Sequence, residues 1–143
     1  MPALLIVNAA AALFMTGLIW MVQLVHYPMF AEVGPASFSR YHASHSRRIT
    51  PLVLPVMTLE LVTSALLVLA PPAGVSGPAV WTGLALAVAL WASTALILSP
   101  AHGSLSAGLD RERIDHLVAI NWLRTAGWTA RSALVLSMLA VAA

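Results

Sequence analysis

The chain of 143 residues contains no cysteine and no lysine, and it has few charged side chains. Without cysteine it forms no disulfide, offers no thiolate nucleophile and cannot ligate an iron–sulfur cluster. Without lysine it cannot hold retinal or pyridoxal phosphate as a Schiff base. Charged residues make up only 8% of the chain, against about 25% in an average soluble domain. These absences exclude several cofactor classes and argue against a soluble protein.

Apolar residues make up 60% of the chain, and the mean hydropathy is +0.90. They form four stretches, each long enough for the roughly 20 residues that cross a bilayer. The sequence therefore predicts an all-α integral membrane four-helix bundle, a single domain over residues 1–143. The predicted helices cover about 3–27, 49–70, 79–99 and 111–142. We interpret the first as a retained membrane helix, because it lacks the basic start of a signal peptide.

The connections between these helices carry several local signals. Residues 30–48 have polar and aromatic side chains at helical spacing, which predicts a short interfacial helix. Pro51 suits the first turn of the second helix, and Pro55 is predicted to kink it. Pro100 is predicted to end the third helix, and Asp110 to cap the start of the fourth.

The basic residues predict the orientation. All seven are arginine, and five lie in the connections after the first and third helices: Arg40, Arg47, Arg48, Arg111 and Arg113. By the positive-inside rule these connections are cytoplasmic and both termini are not, in a plasma membrane of bacterial type. A net charge of +2, spread over the chain, does not indicate a nucleic-acid partner.

The fourth helix carries the polar residues that organise the predicted site. Asn121, Arg124, Trp128 and Arg131 follow at steps of three, four and three, so they share one helix face. Arginines inside a membrane helix are costly and rarely face lipid. Glu60 is the one charge of the second helix and is the predicted partner of Arg124, with Arg131 as the alternative.

We predict that polar residues of three helices meet in a cavity that opens toward the cytoplasmic half. The predicted catalytic residues are His26, Glu60 and Arg124. The predicted substrate-binding residues are Trp20, Gln23, Asn121, Trp128 and Arg131. The competing interpretation is that Glu60 and the arginines form a structural ion pair, which only holds the second helix against the fourth.

Histidines supply a second set of candidates. All five fall at the predicted cytoplasmic end, and four of them are candidate metal ligands: His26, His42, His45 and His102. There is no His-Glu-x-x-His motif and no pair of Glu-x-x-His motifs, so the pattern names no particular metal. His26 and His102 are the predicted axial pair if the cofactor is haem. The sequence leaves open whether the cofactor is haem, a single metal ion or absent.

The pattern Asn121-x-x-Arg124-Thr125 resembles the C-terminal helix of small four-helix membrane proteins related to fungal anthrone oxygenase. His26, the Pro28 that follows it and the basic connection are compatible with that family. Its members commonly carry a tryptophan shortly before the asparagine, where this chain has leucine and valine. The resemblance implies an oxygenase-like site that oxidises a hydrophobic aromatic compound, with or without a metal.

Three hypotheses about function therefore stand together. The first is a membrane oxidoreductase acting on a hydrophobic small molecule or lipid that enters from the bilayer. The second is a haem- or metal-binding bundle. The third is a small carrier or assembly subunit, which needs self-association because four helices are few for a monomeric transporter. Alanine-rich segments at residues 9–12 and 85–89 allow the close helix contact that a homo-oligomer requires.

Overall fold

The computed structural model of the protein describes residues 2–142, most of which are helical. Four segments are long and apolar enough to cross a membrane, which confirms the predicted all-α four-helix architecture. The helices are α1 (Pro2–Met21), α2 (Pro35–Leu69), α3 (Gly77–Ser93), the short α4 (Ser99–Ser104) and α5 (Arg111–Ala142). Short π turns (Val22–His26 and Thr94–Leu98) and 3-10 turns (Pro28–Glu32 and Leu105–Ala107) extend α1 and join α3 to α5.

The four long helices pack in a ring. α1 lies between α2 and α5, and α3 lies between the same two helices on the other side. One apolar cluster, around Met15, Phe30 and Trp128, fills one half of the bundle. This half lies near the connection from α1 to α2 and the connection from α3 to α5. A second, around Leu5 and Val135, fills the half near the termini. Buried polar side chains that lie among these apolar residues form the two layers described below.

α2 is one continuous helix from Pro35, so the predicted interfacial helix in residues 30–48 is not a separate element. Its first turns bury Phe38, His42 and His45, which lie on one face at steps of four and three. Pro51 consequently lies inside the helix and not in its first turn. The sequence suggested a break because this stretch is polar, yet its histidines are buried against the rest of the bundle.

Two π turns aim the side chains that follow them. Each adds a residue relative to α-helical pitch and rotates the next side chains around the axis. One π turn ends at His26, just before Tyr27, and the other precedes α4, which carries His102. The prediction that Pro100 ends the third helix is wrong: the proline occupies the first turn of α4, where a missing N–H is tolerated.

The start of α5 agrees with the sequence. It begins at Arg111, and Asp110 accepts a hydrogen bond from the backbone N–H of Arg113 at 3.1 Å. The same carboxylate forms an ion pair with the Arg113 side chain, with 3.0 Å between Nε and Oδ2. Asp110 therefore caps the helix as predicted.

Candidate functional site

Of the two polar layers, the one nearer the chain termini is built around Arg131, whose side chain is 1% exposed. We call it the deeper layer. Its Nε lies 3.4 Å from Glu60 Oε1, and its Nη2 donates to Asn8 Oδ1 at 2.6 Å and to Ser64 Oγ at 2.7 Å. The other oxygen of Glu60 accepts a hydrogen bond from Trp128 Nε1 at 3.0 Å. Three helices are thereby joined through one buried ion pair and its hydrogen bonds.

Two further residues contribute to this layer, one by hydrogen bonds and one by leaving space, and the sequence analysis missed both. The Asn8 amide also donates to Thr63 and Ser64, so it joins α1 to α2 as well as to Arg131. Asn8 is the one polar side chain in residues 2–15, and that isolation was an available signal. Gly83 of α3 faces Arg131, since an added Cβ would lie 3.1 Å from Nη1. Contact with a neighbouring helix is what selects glycine there, so no local pattern indicates it.

A second polar layer holds Arg124. Gln23 accepts hydrogen bonds from the Asn121 amide at 2.9 Å and the Thr125 hydroxyl at 3.2 Å, and it donates to the Val118 carbonyl at 3.1 Å. Asn121 then accepts a hydrogen bond from Arg124 Nη1 at 3.1 Å. Gln23 and Asn121 are almost fully buried, so they act on Arg124 by fixing its position.

The prediction that Glu60 pairs with Arg124 or Arg131 is confirmed for Arg131, the named alternative, and not for Arg124, the first choice. Arg124 is 5% exposed and lies 5.0 Å from the centre of the Trp128 ring. Its Nε has no hydrogen-bond partner within residues 2–142. Spacing within α5 could not choose between the arginines, because the choice depends on how far α2 and α5 are displaced along each other.

Four histidines from different parts of the chain meet beyond Arg124, and we call them the histidine cluster: His26, His42, His45 and His102. His26 Nε2 lies 2.6 Å from His45 Nδ1, and His42 Nε2 lies 3.1 Å from His102 Nδ1. His102 Nε2 lies 2.8 Å from the Tyr27 hydroxyl. All four predicted metal candidates are thus brought together, although the sequence separates them by up to 76 positions, from 26 to 102.

The rings of the cluster bond to one another in two pairs. As they stand, no group of three or more His, Cys, Asp or Glu side chains among residues 2–142 is arranged to hold a metal ion. The predicted haem pair is also divided, since His26 bonds to His45 while His102 bonds to His42. Within residues 2–142, His45 Nε2 is buried without a hydrogen-bond partner, so the cluster has a buried ring nitrogen that no protein group uses.

Three cavities border this region. A cavity of about 160 Å³ lies between α2 and the end of α3, and Tyr27, His102 and Arg124 all line it. An adjoining cavity of about 310 Å³ shares Thr50, Ser99 and His102 with it and also reaches His42 and His45. A third, of about 420 Å³, lies on the other side of the His26–His45 pair. We call the first the Arg124 cavity.

The single cavity predicted from the sequence is therefore divided, and most of its predicted lining lies elsewhere. Gln23, Glu60, Asn121 and Trp128 are buried in direct hydrogen bonds and do not line the Arg124 cavity. Arg131 belongs to the deeper layer, as described above. Trp20 is 38% exposed and donates to the Thr129 hydroxyl at 3.1 Å on the outer surface of the bundle. Tyr27, which the prediction left out, lines this cavity together with Arg124 and bonds to His102.

No family model, curated protein or solved structure matches the chain. The class of protein is therefore defined by the structure: a helical bundle with four segments long and apolar enough to cross a membrane. Within it, the polar layer around Arg124 and the histidine cluster meet at one cavity.

Proposed function

We propose that the protein is a membrane-embedded oxidoreductase, oxygenase-like in its reaction, which acts on a hydrophobic small molecule. The observation that carries the proposal is the Arg124 cavity, where a buried cation, a phenol and an imidazole face one space. Those three groups can hold an oxyanion, donate a hydrogen bond and accept a proton. Perturbed polar groups gathered in a cleft mark a candidate active site.

The walls of the cavity support an apolar substrate that enters from the bilayer. Four apolar residues line it together with three hydroxyl residues: Ile49, Val53, Leu54 and Leu98, then Thr50, Thr94 and Ser99. Its volume of about 160 Å³ is close to that of an engineered apolar cavity of about 150 Å³ that accepts benzene. A single ring or a short head group fits that space, and the remainder of the substrate extends between the helices.

A hydrogen-bonded chain leads away from the cavity. The Tyr27 hydroxyl bonds to His102 Nε2, and His102 Nδ1 bonds to His42 Nε2. If the hydroxyl donates to His102, the ring donates in turn to His42, since a neutral imidazole carries one N–H and one lone pair. A proton taken from a substrate at Tyr27 can therefore move two residues away from the reacting atoms.

The proposed reaction uses dioxygen as its oxidant. The substrate loses a proton from an activated CH₂ group to the Tyr27–His102–His42 chain, and Arg124 stabilises the resulting anion. Reaction of that anion with dioxygen converts the CH₂ group into a carbonyl, and the second oxygen atom leaves as water with the two hydrogens. Atoms and electrons balance, because one dioxygen is consumed for each CH₂ oxidised to a carbonyl.

The motif shared with the anthrone-oxygenase-like proteins supports this assignment. Asn121 accepts a hydrogen bond from Arg124, and Thr125 shares the Gln23 oxygen with Asn121. The motif thus positions the one arginine that faces the cavity. That role agrees with the oxygenase-like site implied by the resemblance.

The proposal is tested on purified protein in lipid nanodiscs with a dioxygen electrode. We expect dioxygen consumption when anthrone-like compounds, which have a CH₂ activated by flanking aromatic rings, are added. The same compounds with that position blocked by two methyl groups should give none. Mass spectrometry should show a carbonyl product carrying one atom of labelled oxygen. Absence of consumption across a panel of such compounds would refute the proposal.

A second candidate function is transition-metal binding by the histidine cluster. It is favoured by four imidazoles packed together with ring centroids 4.5 to 6.5 Å apart. The 3.1 Å between His42 and His102 nitrogens is close to the roughly 3.3 Å between two ligands of a tetrahedral ion with 2.0–2.1 Å bonds. Imidazole ligands suit zinc, copper, iron and nickel. Rotation of the rings out of their paired hydrogen bonds would be needed.

Metal analysis of protein purified in mild detergent tests this candidate. We expect one bound transition-metal ion per chain, lost when His42 and His102 are both replaced by leucine. A protein with His116→Leu is the matched control, because His116 is exposed on the first turns of α5 and lies outside the cluster. A preparation that contains no metal and takes up none on titration with zinc or copper would contradict it.

We also propose that the histidine end of the bundle faces the cytoplasm in a bacterial-type plasma membrane. The five arginines in the first part of α2 and the first turn of α5 support this orientation. A reporter that is active only in the cytoplasm should give no signal when fused after the last residue. The same reporter inserted after Ser106, in the 3-10 turn between α4 and α5, should be active. The opposite pair of results would reverse the orientation.

A further inference from the structure

Two buried arginines lie seven residues apart on the same face of α5, and their surroundings differ in one respect. Arg131 has a carboxylate partner in Glu60. Arg124 is also enclosed, but it donates from Nη1 to the neutral amide of Asn121, and no group among the described residues bonds to its Nε. The bundle thus supplies a counter-charge for one arginine and not for the other.

No carboxylate side chain of the protein is available to Arg124. The chain has five, and all of them lie within the described residues. Two form ion pairs with other arginines and three are exposed: Glu60 and Asp110, then Glu32, Glu112 and Asp115. The Trp128 ring gives Arg124 a cation–π contact, but a quadrupole does not neutralise a charge. An unmatched cation inside a membrane bundle marks a ligand site by default.

The Arg124 guanidinium also faces an open cavity. Arg124 lines the cavity of about 160 Å³ that it shares with Tyr27 and His102. A guanidinium presents paired N–H donors that match a carboxylate, and it remains charged at any physiological pH. The Tyr27 hydroxyl also lines this space, but its single proton is directed to His102 in the proposed chain, so Arg124 supplies the donors for the ligand. The cavity therefore combines one full positive charge with donors, in a space of head-group size.

We infer that Arg124 binds the oxyanion head group of an amphipathic molecule, a carboxylate or a phenolate. The inference rests on the proposed function, because it specifies the substrate class of the same cavity. One cation faces the space, which suits a head of single charge and not a phosphate monoester. Val53, Leu54 and Leu98 provide the apolar wall along which the body of the molecule extends.

Calorimetric titration of the protein in zwitterionic nanodiscs tests the inference. Dodecanoate is compared with dodecanol, and a para-alkylphenol with its methyl ether, so that each pair differs only in the ionisable group. We expect at least one acidic member to bind about tenfold or more tightly than its neutral partner, as charge-assisted hydrogen bonds imply. A preference within the first pair identifies a fatty-acid-like ligand, and within the second a hydroxyaromatic one.

Substitutions then assign the effect to the residue. Arg124→Gln should abolish the preference, and Arg124→Lys should keep part of it, since lysine retains the charge without the paired donors. Arg48→Gln is the matched control: Arg48 is an exposed arginine that lines the separate 420 Å³ cavity, so the preference should survive. If Arg124→Gln does not fold, the inference is still tested by the two ligand pairs measured on the wild-type protein and by the Arg124→Lys variant.

Three results would overturn the inference: equal binding of acid and neutral partner in both pairs, a preference that persists in Arg124→Gln, or acetate binding as tightly as dodecanoate. None of these measurements needs turnover. Charge-dependent binding without dioxygen consumption would keep the anion site and remove the proposed reaction. Dioxygen consumption without charge-dependent binding would support the proposed reaction and remove the anion site.

Discussion

Arg131→Met is expected to lower the stability of the protein in detergent by about 3–5 kcal/mol, the range measured when one partner of a buried ion pair is removed. The substitution leaves the Glu60 carboxylate without its ion-pair partner, at 2% exposure, and leaves the Asn8 carbonyl without its donor. Methionine keeps much of the side-chain length, so the loss reports mainly on charge and hydrogen bonding. Thermal or denaturant unfolding, followed by the fluorescence of the native tryptophans, measures the change.

The double variant Glu60→Gln/Arg131→Met distinguishes the contribution of the ion pair to stability from the contribution of side-chain packing. Glutamine keeps an acceptor for Trp128 Nε1, which bonds to Glu60 Oε2 at 3.0 Å, and it removes the buried charge. We expect the double variant to be more stable than Arg131→Met, because an unpaired buried charge costs more than a neutral pair. Equal stability of wild type and Arg131→Met would show that this layer does not hold the bundle together.

Glu60→Gln alone also distinguishes the two roles that the sequence allowed for this residue. Glu60 contacts Arg131 and Trp128 and does not line the Arg124 cavity, which favours the structural role. Under that role the variant loses stability and retains ligand binding. Loss of turnover in a fully stable Glu60→Gln protein would restore the catalytic interpretation.

His102→Ala is expected to lower turnover of the proposed reaction by about 10²- to 10⁴-fold, the usual contribution of a positioned general base. The ring lines the Arg124 cavity and connects Tyr27 to His42, so its removal both takes away the acceptor and breaks the proton chain. Initial rates of dioxygen consumption over a range of substrate concentrations measure the effect. The loss should appear in kcat more than in KM, because His102 acts on the proton and Arg124 on binding.

Tyr27→Phe and His116→Ala complete this experiment. The phenylalanine keeps the ring that packs against Phe30 and removes only the hydroxyl that bonds to His102 at 2.8 Å. It should therefore lower kcat while leaving the unfolding midpoint nearly unchanged. His116→Ala removes an exposed histidine outside the cluster and should leave kcat as it is. Normal turnover in His102→Ala would exclude the proposed proton chain.

Much of the fold could be predicted from the sequence, because the signals for it are local. Hydropathy gave four spans, since a bilayer requires about 20 apolar residues per helix and internally satisfied backbone groups. One buried face of α5 was predicted from the steps between its polar residues: Asn121, Arg124, Trp128 and Arg131. The start of the helix was predicted from its capping residue, Asp110. The costs of intramembrane charge also required a buried partner for Glu60, which the structure supplies.

The tertiary structure decided everything that depends on how the helices are placed against one another. Glu60 pairs with Arg131 and not with Arg124, because the relative displacement of α2 and α5 sets which arginine is opposite. The π turns that aim Tyr27 and His102 add a residue without a sequence signature, so helical counting along α1 and α3 could not place those side chains. Convergence of the four histidines is a contact over long chain separation, which periodicity along one helix cannot reveal. Local chemistry thus determined which residues had to be buried, and packing alone determined which of them meet.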